Sequence, residues 1–320
     1  MRKILGVLTV TALTGLVLLT AARFVDTGVR LPILLASFSA YSALGLLVVL
    51  LVGLSRFGSA PDRRWAVPVA VVAGLCLVLQ TWSLVPLFTG GSTGRSDLTV
   101  MTSNLEFGRG DAETVVRTVA EEDVDVLVLQ EVTPTAYDAL IAVGLVELLP
   151  HEAGEPVESA AGTMVFSRYP LASARSFTVR NGGLDISVAA PAPFRLLAVH
   201  TAQPVGWPQW WSTDMRTVRE RARTTLDEGP TLLVGDFNAT RDHRPLRAIL
   251  DTGLRDAAEQ AGSGWQPTWP TRFHTSWLQP VITIDHVLAS EPYVAVRTRT
   301  VEVGNTDHLA LLADLRLSRP

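Results

Sequence analysis

Polar residues capable of phosphate or metal chemistry stand at the ends of apolar, β-rich runs. Asn104 ends LTVMTSN, Glu131 ends VDVLVLQE, His200 ends FRLLAVH, and Asp236 and Asn238 close TLLVGDFN. Asp285 lies in VITIDHVL, and Asp307 and His308 form NTDH before the last apolar run. Strand ends gathered on one rim would bring these groups to one cleft. Carboxylates and an amide, with only histidine nitrogens beside them, make an oxygen-rich site suited to Mg²⁺, Mn²⁺ or Ca²⁺ rather than zinc. Such a site suits phosphate esters. The ion neutralises phosphoryl charge, a carboxylate orients or deprotonates water, and a histidine stabilises the phosphoryl oxygens or protonates the leaving group.

The elements that must position these groups are legible from Leu98 onward. Alternation and turn signals predict strands over 98–104, 124–131, 163–167, 195–200, 231–236, 282–288 and 308–315. Asp111 is placed to cap a helix through Glu122, and Thr133 with Pro134 opens another that stops near Gly144. A third helix is expected over 210–228, with Arg216, Arg219 and Arg223 along its polar face. Strands interleaved with helices and then running in succession predict an α/β sandwich of two sheets flanked by helices.

As an ordered set, TSN, QE, SRYP, GDFN, IDH and TDH resemble the endonuclease/exonuclease/phosphatase superfamily, which has the DNase I-like fold. The likeness runs from about Leu98 to Leu317. It implies that Asn104, Glu131 and Asp307 belong to the metal site, with Asp307 alternatively orienting the final histidine. Asp236 and Asn238 would hold the attacking water and the phosphate, and His308 would contact the scissile phosphate. His200 matches a second active-site histidine of the deoxyribonuclease and sphingomyelinase branches, and Asp285 an aspartate that supports the site. The family often has tyrosine after that aspartate, where this chain has His286. The remaining histidines His151, His243 and His274 are expected at the surface or in loops.

Composition adds a membrane. Hydrophobic residues make up 48% of the 320 and charged ones 18%, too apolar for one ordinary soluble domain. Apolar runs over about 4–22, 31–54 and 66–88 are each near the roughly 20 residues of a transmembrane helix. Arg2 and Lys3 before the first run, and Ala21 and Ala22 at its end, also fit a cleaved signal peptide. A helical hairpin packed within a soluble protein is the alternative to the membrane reading. Three spans would place Arg2, Lys3, Arg56, Arg63 and Arg64 on one side against Arg23 and Arg30, so the N-terminus is expected in the cytoplasm. The chain then divides into a membrane anchor, 1–91, and an extracytoplasmic catalytic domain, 92–320.

Residues 1–91 hold 7 basic and 2 acidic side chains, leaving 20 and 29 in the second part. An acidic domain argues against tight nonspecific nucleic-acid binding, without excluding a nuclease. The only cysteine, Cys76, lies in an apolar run, so an intramolecular disulfide is impossible.

The architecture further resembles VanJ-type membrane proteins linked to teicoplanin resistance, which implies hydrolysis of undecaprenyl pyrophosphate, a cell-wall carrier lipid. The expected activity is therefore a metal-dependent phosphoesterase whose lipid-linked phosphate substrate arrives through the bilayer. An anchored nuclease, a phospholipase C or sphingomyelinase-like enzyme, and a catalytically silent module binding lipid or antibiotic are the alternatives. Trp207, Trp210 and Trp211, with Trp265, Trp269 and Trp277, are expected to flank the cleft, either dipping into the outer leaflet or packing in the core.

Overall fold

The computed structural model describes residues 2–91, 93–273, 276–277 and 279–318, the side chains of Arg2, Arg272, Phe273, Ser276 and Trp277 excepted. The chain forms two units, Met1–Pro86 with Asp242–Arg244, and Leu87–Arg241 with Pro245–Pro320.

The first unit is helical. It contains α1 (Arg2–Ala22), α2 (Arg30–Ser37), α3 (Ser42–Ser55) and α4 (Arg63–Leu84). By length and composition α1 and α4 can each cross a membrane. The run expected as one straight span over 31–54 is broken instead: a 3-10 turn at Ser39–Tyr41 separates α2 from α3, and the two halves bend by 53°. Ser37 and Ser39 flank the break, and Ser37 Oγ donates to the Ile33 carbonyl, the local competition that bends apolar helices. Counted as one bent span, this pair would be a third crossing. Leu13, Leu46, Val49, Val69 and Ala73 form the apolar seam between α1, α3 and α4. Beside it lies a buried polar knot: Gln80 Nε2 donates to Ser42 Oγ at 2.7 Å and the Ser39 carbonyl at 2.9 Å, and Gln80 Oε1 accepts from Arg23 Nη1 at 3.0 Å. These pairings satisfy groups that apolar surroundings would otherwise leave without partners. His243, expected at the surface or in a loop, lies in a bend before Arg244 but is buried in this unit, with Nε2 3.0 Å from the Ile33 carbonyl.

The second unit begins within the short helix α5 (Pro86–Thr89) and is a two-sheet sandwich. The first sheet contains β1 (Leu98–Asn104), β2 (Val126–Gln130), β3 (His151–Gly154), β4 (Met164–Ser167), β13 (Tyr293–Glu302) and β14 (Leu309–Leu317), in the order β13-β14-β1-β2-β4-β3. The second contains β5 (Leu171–Ser176), β6 (Gly183–Val188), β7 (Phe194–His200), β8 (Thr231–Asp236), β9 (Arg255–Asp256) and β12 (Asp285–Ala289), in the order β5-β6-β7-β8-β12-β9. A two-stranded ribbon, β10 (Arg272–Phe273) and β11 (Ser276–Trp277), stands apart. Each sheet has one parallel pair, β1 with β2 and β7 with β8, and antiparallel strands around it. The crossovers are α6 (Ala112–Glu121) and α9 (Pro208–Glu228), as parallel pairing requires a long connection.

Side-chain alternation divides the core. Val126 and Val128 face the second sheet, packing with Val165, Ile186, Leu196, Leu232 and Val287. Leu127 and Leu129 face the other way, against Val115 and Val119 of α6 and Leu140 of α7 (Pro134–Ala142). Asp111 and Thr133 cap these helices through the Thr114 and Ala136 amides, as expected. The short helices α8 (Leu145–Leu148), α10 (Arg244–Leu250) and α11 (Ala257–Ala261) complete the unit. Strands β3, β5, β6, β13 and the two-residue strands β9, β10 and β11 have no counterpart among the strands expected from sequence. The edge strand β5 has almost no buried residue, and β13 alternates irregularly.

Candidate active site

Strand register assembles the site. In the second sheet His200 stands opposite Asp236, and Asp285 stands opposite Asp236 from the other side. In the first sheet Asn104 closes β1 beside Gln130, so Glu131 follows at the same end, and His308 immediately precedes β14.

The side chains then join through direct contacts. Asn104 Nδ2 donates to Glu131 Oε1 and to Asp236 Oδ2, both at 3.1 Å. Glu131 Oε2 accepts from the Phe107 amide at 2.7 Å, and Asp236 Oδ1 from the Asn238 amide at 2.7 Å. His308 Nδ1 lies 2.9 Å from Asp285 Oδ2, while its Nε2 lies 3.8 Å from both Asp236 Oδ2 and Asp307 Oδ1. His200 Nδ1 donates to the Ala160 carbonyl, which turns Nε2 toward Asp236 Oδ2 at 3.6 Å and Glu131 Oε1 at 3.8 Å. Asn238 Nδ2 donates to the Thr201 carbonyl. All eight residues singled out from the sequence thus belong to one network.

Burial sets its electrostatics. Removal from water, reinforced by the Asp285 carboxylate, pushes Asp236 up to about 6, with His308 and His200 pulling the other way. For His308 burial disfavours the charged ring, but Asp285, then Asp236 and Asp307, outweigh it and push the imidazole up to about 10. The pair is therefore an imidazolium held by a carboxylate, beside an aspartate poised to accept a proton.

The donor set also fits a divalent cation. Asp285 Oδ1 is buried with no hydrogen-bond partner among the described residues, and the Asn104 amide sits between two carboxylate oxygens that converge on one point. One ligand atom each from Asp236, Asp285 and His308 lie within 4.8 Å of one another. That trio differs from the expected Asn104, Glu131 and Asp307. His308 Nδ1 and Asp285 Oδ2 are engaged with each other, and both oxygens of Glu131 and of Asp236 already accept hydrogen bonds, so an oxygen-coordinated ion held here by Glu131, Asp236 and Asp307 would compete with the Asn104 amide for Glu131 Oε1 and Asp236 Oδ2. Bound there, such an ion would neutralise phosphoryl charge.

Several supporting residues carried no motif. Trp269 Nε1 donates to Asp307 Oδ2 at 2.9 Å, Thr306 Oγ1 to the Asn104 carbonyl at 2.7 Å, and Asn181 Nδ2 to the Thr201 carbonyl at 3.1 Å. Trp211 is buried, its Nε1 donating to the Phe237 carbonyl behind the GDFN turn, so it packs in the core and does not face a membrane. The structure also gives His286 a place. Its Nδ1 meets Asp256 Oδ2 at 2.8 Å and its Nε2 the Ala239 carbonyl at 2.9 Å, two acceptors that call for a doubly protonated ring. Burial opposes that charge, Asp256 outweighs it, and the pKa is raised. His151 is half-buried in β3, and His274 and the Trp277 side chain lie outside the described residues.

The model of the Endonuclease/Exonuclease/phosphatase family matches residues 101–308, from the first site strand through the last site histidine. The chain belongs to that family. Similar solved structures include an endonuclease/exonuclease/phosphatase from Bacteroides vulgatus, at 18% identity and TM-score 0.54, covering 70% of this chain and all of that one. A Bacteroides thetaiotaomicron mannosyl-6-phosphatase is similar at 16% identity and TM-score 0.51, covering 68% of this chain and 99% of its own. D. rerio TDP2, complexed with single strand DNA product, is similar at 14% identity and TM-score 0.54, covering 68% and 98%. At such identities the likeness establishes the DNase I-like fold, which serves many phosphate esters. None of the proteins with curated functions matches the sequence.

Proposed function

We propose that this family member is a membrane-anchored, Mg²⁺- or Mn²⁺-dependent phosphoesterase that hydrolyses a lipid-linked phosphate ester or pyrophosphate at the outer face of the cell membrane. The observation that carries the reading is the union, on one chain, of a complete carboxylate, amide and histidine set with helices long and apolar enough to span a bilayer. A tethered enzyme meets a lipid headgroup at high effective concentration, whereas dissolved nucleic acid gains nothing from the tether. Undecaprenyl pyrophosphate, a diphosphate on a long apolar chain, is the specific substrate we assign, which makes the reaction a step in recycling the cell-wall carrier and ties it to glycopeptide resistance.

Within the site, His308 and His200 face the place where phosphoryl oxygens would gather, and Asp236 is the group that would take a proton from water. The test is phosphate release by the purified full chain from undecaprenyl pyrophosphate with Mg²⁺ or Mn²⁺, beside His308→Ala and a plasmid-nicking control. Metal-dependent release that vanishes in the variant, without nicking, is expected. Nicking without release would replace the proposal with a tethered nuclease.

A further inference from the structure

The loop after β7 and the first turn of α9 present apolar side chains beside a cation from the loop between β5 and β6. Val205, Trp207 and Trp210 are each about half exposed, at 51%, 47% and 51%. Arg180 approaches from the neighbouring loop, its Cζ 4.3 Å from the Trp207 ring centre and 5.3 Å from that of Trp210. Among the described residues Arg180 makes no salt bridge, so its positive charge is presented on the two indoles toward solvent.

This grouping is not a loose end. Asp214, buried on α9, accepts the Ala202 amide at 2.8 Å and the Arg180 amide at 3.2 Å, clamping both loops to one helix. Asn181, next to Arg180, bonds the Thr201 carbonyl and lies 3.5 Å from His200 Nε2. Trp211, next to Trp210, bonds the Phe237 carbonyl of the catalytic turn. Trp210 and Arg180 thus each stand one residue away from a group that holds the site.

We propose that Arg180, Val205, Trp207 and Trp210 form a docking patch for an anionic lipid surface at the mouth of the catalytic cleft. Indoles favour the boundary between headgroups and chains, and a cation beside them complements acidic headgroups. Residues 92–320 carry more acidic than basic side chains, so a cation set directly on two exposed indoles is a local feature complementary to such a surface. The proposal rests on the lipid reading above and gives it a route by which headgroups reach the site without leaving the bilayer.

The test uses the full chain carrying Cys76→Ser and Val205→Cys, labelled at residue 205 with an environment-sensitive fluorophore and reconstituted into nanodiscs. In discs containing anionic lipid the emission shifts to the blue and is quenched by brominated lipid. Arg180→Gln weakens both signals about fivefold in anionic discs only, and Trp207→Ser with Trp210→Ser abolishes them. Water-like emission with no lipid quenching would overturn the proposal, as would a shift produced only by added single-stranded oligonucleotide. This readout needs no turnover, so it separates failure of the docking patch from failure of the proposed substrate. In an activity arm, the double serine variant loses hydrolysis of the lipid-linked diphosphate and keeps that of bis-p-nitrophenyl phosphate; equal loss on both would count against docking.

Discussion

Asp285 and His308 are both buried, and the Oδ2 of the first lies 2.9 Å from the Nδ1 of the second. This contact fixes which ring nitrogen faces the reaction. With Nδ1 turned to the carboxylate, Nε2 is left toward Asp236 and Asp307. Asp285 thus acts through His308, consistent with the partnerless second oxygen that ties it to no other protein group among the described residues.

Asp285→Asn keeps the shape but removes the charge that holds the imidazolium. We expect kcat to fall about 100- to 10,000-fold with KM changed far less and the melting temperature near that of the wild type. A loss confined to KM would instead place Asp285 in substrate binding.

The same pair makes stability depend on pH. His308 is raised in the folded chain from its ordinary value near 6.5 to about 10. The folded state therefore binds the proton more tightly than the unfolded one. Its contribution is full below about 6.5 and is lost as pH rises toward 10. In metal-free, detergent-solubilised protein the melting temperature should fall across this window more steeply for wild type than for His308→Gln. Parallel curves would show that the imidazolium is not held as described.

Much of this arrangement was legible from residue order. Polar residues ending apolar strands are conspicuous because a core gives them no water, and the two crossover helices that parallel pairing needs were legible, α6 from its Asp111 cap and α9, which brings β8 beside β7 and Asp236 beside His200, from its amphipathic run. Thr306 and Asn181 were not legible as site residues, because they act through hydrogen bonds created by a long-range approach, and Trp269, expected to flank the cleft, gave no sign of its bond to Asp307. The apolar run over 31–54 gave its length but not its bend, since hydropathy does not record that the Ser37 hydroxyl turns onto the Ile33 carbonyl. His286 departed from the family pattern, and its role became clear only with Asp256 and Ala239 around it.

That role predicts a structural rather than a chemical phenotype. His286→Phe keeps an aromatic ring beside Phe237 but leaves Asp256 without its cation. Breaking a buried pair in this way costs about 3–5 kcal/mol. Adding Asp256→Asn should restore part of the loss, since the uncompensated charge goes with it. Thermal unfolding of the two variants checks this, and an additive, worse double variant would contradict it.

Gly235 supplies the last prediction. It lies in β8 between the partners Val199 and His286, with φ of +142°, and a Cβ built there would lie 2.0 Å from the Val199 carbonyl oxygen. Backbone cannot move aside as a flexible side chain does, so Gly235→Ala must push β7 from β8 or twist the strand out of a conformation that side chains rarely adopt. The neighbouring register position is the one that sets His200 against Asp236. We expect a stability loss of about 2–4 kcal/mol together with a fall in kcat of at least about tenfold. Both follow from one displacement, so they should appear together in melting and turnover measurements. A variant that melts normally and turns over normally would mean that the close approach of these strands does not position the site.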